Sequence, residues 1–217
     1  MRILRTIILV MLVLGLDLPA MARDHTPPPV KPATAFAAVE IHKDEHLAIA
    51  VVPYDTKKQE SIFRVDYLKY GVIPVRLIVT NTGNQPISLS DARILFETAD
   101  GRYVQAAEPA DVERLMNPHE PRSMPMPSPI PGIHFGRKNH NYEKVKEDFD
   151  TFEYNSLVVE PHTTHAGFLF YVVPGLDHPL KGAHIFIDRV RNAEGHQLYY
   201  FEIPFNQYLQ SQSGQSH

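Results

Sequence analysis

The sequence predicts an all-β fold: a sandwich of seven to nine short strands, with a proline-rich loop and two short helices inserted. Three observations predict it. Apolar residues recur with a period of two through most of the chain, clusters of Gly, Pro, Asn and Asp punctuate these runs, and two of the runs turn back on themselves at Asp100-Gly101 and Glu194-Gly195. Composition agrees with this class. Nineteen prolines and eleven glycines in 217 residues suit many turns, and the absence of cysteine leaves the hydrophobic core to hold the fold without disulfides.

Arg2 and Arg5 precede an apolar run from Ile7 to Leu16, followed by Ala20-Met21-Ala22, the pattern of a secretory signal. We expect cleavage after Ala22, with an uncleaved anchor as the alternative. Ten apolar residues are too few to span a bilayer comfortably, and no later stretch approaches eighteen. The mature chain then keeps 19 basic and 24 acidic residues, a net charge of −5, which argues against nucleic acid as a partner. Residues 23–35, with Pro27-Pro28-Pro29 and Pro32, read as an extended spacer ahead of a folded body at 36–205.

Strand signals follow in order. Leu47 to Tyr54 is a short β-branched run, and "VIPVRLIVT" (72–80) is the strongest strand in the chain, ending in the turn chemistry of residues 81–86. Ile87 to Leu89 restarts the sheet, and "RILFETADGRYVQA" (93–106) reads as a hairpin because Gly101 supplies the positive φ of a tight turn. "GFLFYVV" (167–173) is apolar on both faces, and residues 184–205 form the second hairpin. Tyr199, Tyr200, Phe201 and Phe205 are assigned to core packing. An insertion at 108–152 carries two helices: Pro109 opens the first, with Val112, Leu115 and Met116 at helical spacing, and Tyr142, Val145, Phe149 and Phe152 line one face of the second, opened by Asn139 or Asn141. Residues 206–217 read as a flexible polar tail.

Between the helices lies "PHEPRSMPMPSPIPGIH" (118–134). Pro125, Pro127, Pro129 and Pro131 fall on every second residue, which removes four backbone donors and rules out a central strand. An extended polyproline path from Pro118 to Pro131 reaches roughly 40 Å, enough to cross a small domain. The segment is a structural strap or a partner-binding loop.

Two groups of residues suggest chemistry. "HKDEH", His42 to His46, matches the inverted zinc-protease pattern H-x-x-E-H, which would place His42 and His46 on one helix face with Glu45 as general base. Its β-branched flanks point instead to two strands joined by a charged loop. His119, Met124, Met126 and His134, with Met116, form a soft-ligand set of the kind that holds Cu(I). Nucleophile elbows and phosphate-cradling glycine motifs are absent from the sequence, and no cofactor is expected.

At "GVIPVRLIVTNTGNQPISLS" (71–90) and "VEPHTTHAGFLFYVVP" (159–174) the chain resembles immunoglobulin-like β-sandwich domains of uncharacterised secreted bacterial proteins. The likeness covers roughly residues 47–205 and implies an extracytoplasmic, non-catalytic module, with no site residues carried over. The expectation is a periplasmic or secreted binding or envelope-associated interaction module, whose partner is an envelope or extracellular protein or polymer. A periplasmic metal-binding protein using the His/Met set is the alternative.

Overall fold

A computed structural model describes residues 25–117 and 140–214. The leader, and with it the expected cleavage at Ala22, lies outside these residues, as do His119, Met124, Met126, His134, Pro125, Pro127, Pro129, Pro131 and Asn139. Ten strands run through the described part, rather than seven to nine: β1 (Val39–His42), β2 (Leu47–Pro53), β3 (Val72–Asn81), β4 (Ile87–Ser88), β5 (Arg93–Glu97), β6 (Tyr103–Gln105), β7 (Val158–Val159), β8 (Thr164–Val172), β9 (His184–Asp188) and β10 (Phe201–Pro204). With them come four helices: α1 (Lys57–Glu60), α2 (Pro109–Met116), α3 (His140–Phe152) and α4 (Asn206–Ser213).

The fold is mostly β. One antiparallel sheet is ordered β1-β2-β3-β8, a second β10-β9-β5-β6, and β4 pairs with β7. β3 is buried at all ten of its positions, which requires cover on both faces of the first sheet. On one side Ile73, Val75, Leu77 and Val79 share a core with Phe96, Ile185, Ile187, Phe201 and Ile203 of the second sheet. On the other, Val72, Phe168 and Phe170 pack with Val112 of α2 and with Val145, Phe149 and Phe152 of α3. The two-faced apolar pattern of residues 167–173 therefore serves two different cores.

Pro74 sits inside this central strand without breaking it. Its carbonyl accepts the Tyr54 N–H at 2.8 Å, just past the last residue of β2, so the missing proline donor faces the same open side and not the ladder to β8. Gly167 has a different task. The chain leaving α3 crosses β8 there, and a Cβ would lie 2.5 Å from the Tyr154 Cα.

Segments read as peripheral are built into the body. Residues 25–35, expected as a spacer, lie along the first sheet, because Arg76 is buried in β3 and its guanidinium must find acceptors. It donates to the carbonyls of Pro28 at 2.8 Å and Pro29 at 3.1 Å, and Thr80 Oγ1 accepts from Ala33 N at 2.8 Å. The expected polar tail is likewise helical from Asn206 to Ser213. Tyr208 anchors it, buried in the inter-sheet core with its hydroxyl donating to Asp55 Oδ1 at 2.8 Å.

The face that α3 turns inward carries one polar residue, Asp148, which is wholly buried. Its carboxylate accepts from Arg64 N at 3.0 Å, Val65 N at 3.2 Å, Arg64 Nη1 at 3.1 Å and the Tyr67 hydroxyl at 3.2 Å. Burial pushes this carboxyl above its usual range, and the Arg64 and Tyr67 donors pull against that shift. The result is a tie between α3 and the segment that carries Phe63 and Tyr67 into the aromatic core.

Two substitutions test these joints in urea unfolding of the chain from Arg23 onward. Asp148→Ala strands buried backbone donors and is expected to lower stability by about 3 kcal/mol. Gly167→Ala, which must push Tyr154 away, is expected to cost about 2 kcal/mol with an unchanged m-value.

Candidate functional site

The sharpest sequence motif resolves first. Residues 39–50 form an antiparallel hairpin, with Val39 opposite Ala50 and His42 opposite Leu47, so "HKDEH" is its turn and not a helix. His46 takes a left-handed backbone (φ 53°), and its carbonyl accepts from Thr82 N at 2.8 Å. His42 stays on the strand, and its ring lies parallel to Phe201 at 3.8 Å.

Both ring nitrogens of His42 are taken by carboxylates: Nδ1 meets Glu45 Oε2 at 2.9 Å and Nε2 meets Glu40 Oε1 at 3.0 Å. Each carboxylate then uses its second oxygen on the other sheet. Glu40 Oε2 accepts from Glu202 N at 2.6 Å and Glu45 Oε1 from Tyr199 N at 3.0 Å. The edge strand β1 is thus joined to the edge of β10 through side chains, with His42 at the centre. Burial acts to lower the His42 pKa, but the hydrogen bonds and charges of Glu40 and Glu45 together raise it above 6.5. Among the described residues no group of three His, Asp or Glu side chains is placed to hold a metal ion. His162 Nε2 bonds Asn84 Oδ1 at 3.0 Å, while His165 in β8 stands opposite Val79 of β3.

The outer face of the second sheet is the feature that sequence reasoning missed. Strand register sets Glu202, Phe186, Leu95 and Gln105 side by side across the four strands, and Pro204, His184, Glu97 and Tyr103 in the next row. Phe186 lies 6.1 Å from Tyr103 and 5.6 Å from Tyr200, making a continuous row of rings. Tyr103, Tyr199 and Tyr200 are 57, 78 and 56% exposed, whereas Phe201 and Phe205 are wholly buried. Core packing therefore accounts for Phe201 and Phe205, as expected, and not for the two tyrosines. Carboxylates rim the row. His184 Nε2 stands 2.9 Å from Glu97 Oε2 and 3.7 Å from Glu202 Oε1, the Tyr103 hydroxyl bonds Glu97, and Arg93 Nε donates to Asp188 Oδ1 at 3.0 Å.

A separate cavity of about 570 Å³ opens at the far end of the first sheet, with Ile73, Val173 and Leu180 inside and Asp55, His178 and Lys181 around it. Its lining mixes Asp55 and Asp177 with Lys181. The exposed aromatic row is the stronger candidate, since exposed Tyr and Phe concentrate where proteins meet partners.

No protein-family model matches this chain, and no curated protein matches it.

The His42 junction carries a pH signature. A pKa raised in the folded state gives stability that is complete below the unfolded value of about 6.5 and is lost as pH rises through the folded value. Urea midpoints measured from pH 5.5 to 9 should therefore fall more steeply in the parent than in His42→Gln; parallel curves would exclude a titrating role for His42.

Proposed function

We propose that this chain is an exported, non-catalytic binding module of the cell envelope or exterior, built as an immunoglobulin-like β-sandwich, and that it engages its partner with the outer face of the second sheet. The observation that carries the reading is the row Tyr103–Phe186–Tyr200, with two exposed tyrosines flanking Phe186 on the outer face of the second sheet. Large amphipathic rings held on regular strands lose little freedom on binding and give much contact area.

Three further features support it. The Arg2/Arg5, Ile7–Leu16 and Ala20-Met21-Ala22 pattern is that of an export signal, and a cysteine-free chain needs no oxidative folding step on arrival. Two facing antiparallel four-stranded sheets over a common core are consistent with the sandwich. The buried carboxylates are already engaged by the backbone, Asp148 by Arg64 and Val65 and Glu60 by Leu68 N at 2.6 Å, as structural acids are.

Hydrogen exchange on the chain starting at Arg23, with and without a solubilised envelope fraction, tests the reading. Protection is expected to concentrate in peptides containing Tyr103, Phe186 and Tyr200, and to vanish in a Tyr103→Ser/Tyr200→Ser double variant. Protection confined to other strands, or unchanged in that variant, would overturn it. Recovery of the exported protein with Arg23 at its N-terminus is the matching test of export.

A further inference from the structure

The charges around the aromatic row say what kind of partner fits it. The outer face of the second sheet presents Glu97, Asp188 and Glu202, with Arg93 in register with Asp188 and the charge of Arg189 also acting on Asp188. Arg93 is consumed by Asp188, which it meets through both Nε and Nη2. Glu97 and Glu202 remain, one on each side of His184. Glu202 is more than half exposed, and in the strand register it lies directly opposite Phe186, beside the Tyr200 ring. At the adjoining edge stand Glu40 and Glu45, whose charges are shared with His42. Surplus negative charge therefore borders exposed π-faces, and that pairing suits a cation: a ring face attracts it within about 6 Å of the centroid, and the carboxylate fixes it from the side.

We infer that this face takes an extended protein segment carrying lysine or arginine. The inference rests on the binding-module reading and adds the chemistry of the partner. Length supports an extended segment: the row of three rings runs roughly 12 Å, the span of three to four residues of extended chain at about 3.3 Å each. Every second side chain of such a segment points down onto the sheet, about 6.6 Å from the last, so one basic residue meets Glu202 and Tyr200 while another four positions on reaches the Glu97 and Tyr103 end. An anionic polymer is repelled by the same rim, and a neutral one leaves the excess charge unused.

A synthetic peptide of alternating lysine and serine, its Nε-acetylated form and a neutral oligosaccharide, cellohexaose, are titrated into isotope-labelled protein starting at Arg23 and followed by NMR. The lysine peptide is expected to shift signals of Tyr103, Phe186, Tyr200 and Glu202, and acetylation to weaken it about tenfold or more. Glu202→Gln, on an exposed side chain, should weaken it roughly threefold to tenfold, and raising salt from about 50 to about 500 mM should weaken it further. Equal binding of the acetylated peptide, or shifts mapping away from the face, overturns the inference. If cellohexaose alone binds the aromatic row, the cationic partner is refuted while the binding face stands. If no probe binds there and the envelope footprint also ignores Tyr103 and Tyr200, both readings fail together.

Discussion

The central strand of the first sheet is buried on both faces, and most of the architecture follows from enclosing it. A strand such as β3, buried on both sides over ten residues and mostly apolar, gains stability only when water is removed from both, at roughly 1.5–3 kcal/mol for each fully buried Val, Leu, Ile or Phe. The second sheet supplies one cover. The other is assembled from pieces that would not hold alone: two helices, the segment bearing Phe63 and Tyr67, and the proline stretch ahead of β1. Each piece is tied by a polar contact at its margin. Asp148 gathers the backbone of Arg64 and Val65, and Arg76 gathers the carbonyls of Pro28 and Pro29. These contacts fix position, while the apolar burial beneath them supplies the driving force.

That arrangement leaves the molecule lopsided. Among the described residues, layers run from helices through the first sheet to the second, whose outer face carries exposed aromatic side chains. The core shared by the two sheets includes Ile185, Ile187, Phe201 and Ile203, the inward neighbours of Phe186 and Glu202.

Much of this was legible in the sequence because it is local. "VIPVRLIVT" announces a doubly buried strand, Gly101 a hairpin turn, and the spacing of Val145, Phe149 and Phe152 a helix packed by one face. The flanks of "HKDEH" point to strands for the same reason. What the sequence hides depends on residues far apart. Tyr199 and Tyr200 continue the alternation of Phe201, but β10 begins only at Phe201, so the period of two does not extend to them and both rings face outward. Glu40 and Glu45 find their backbone donors more than 150 positions away, in a strand whose neighbour no local pattern names. Arg76 did carry a signal: a lone guanidinium in an apolar strand must find acceptors, though nothing nearby shows that they are proline carbonyls.

The bridging of Tyr199 and Glu202 by side chains of β1 also bears on colloidal behaviour. A strand at the border of a sheet ordinarily offers its amides to any passing chain, which is how fibrils seed. Here Glu202 N in the strand and Tyr199 N just before it are occupied by glutamates from within the same molecule, and Pro204 at the strand's end has no amide hydrogen to offer. Removing either glutamate side chain would free its amide and leave that part of the border open to a passing chain.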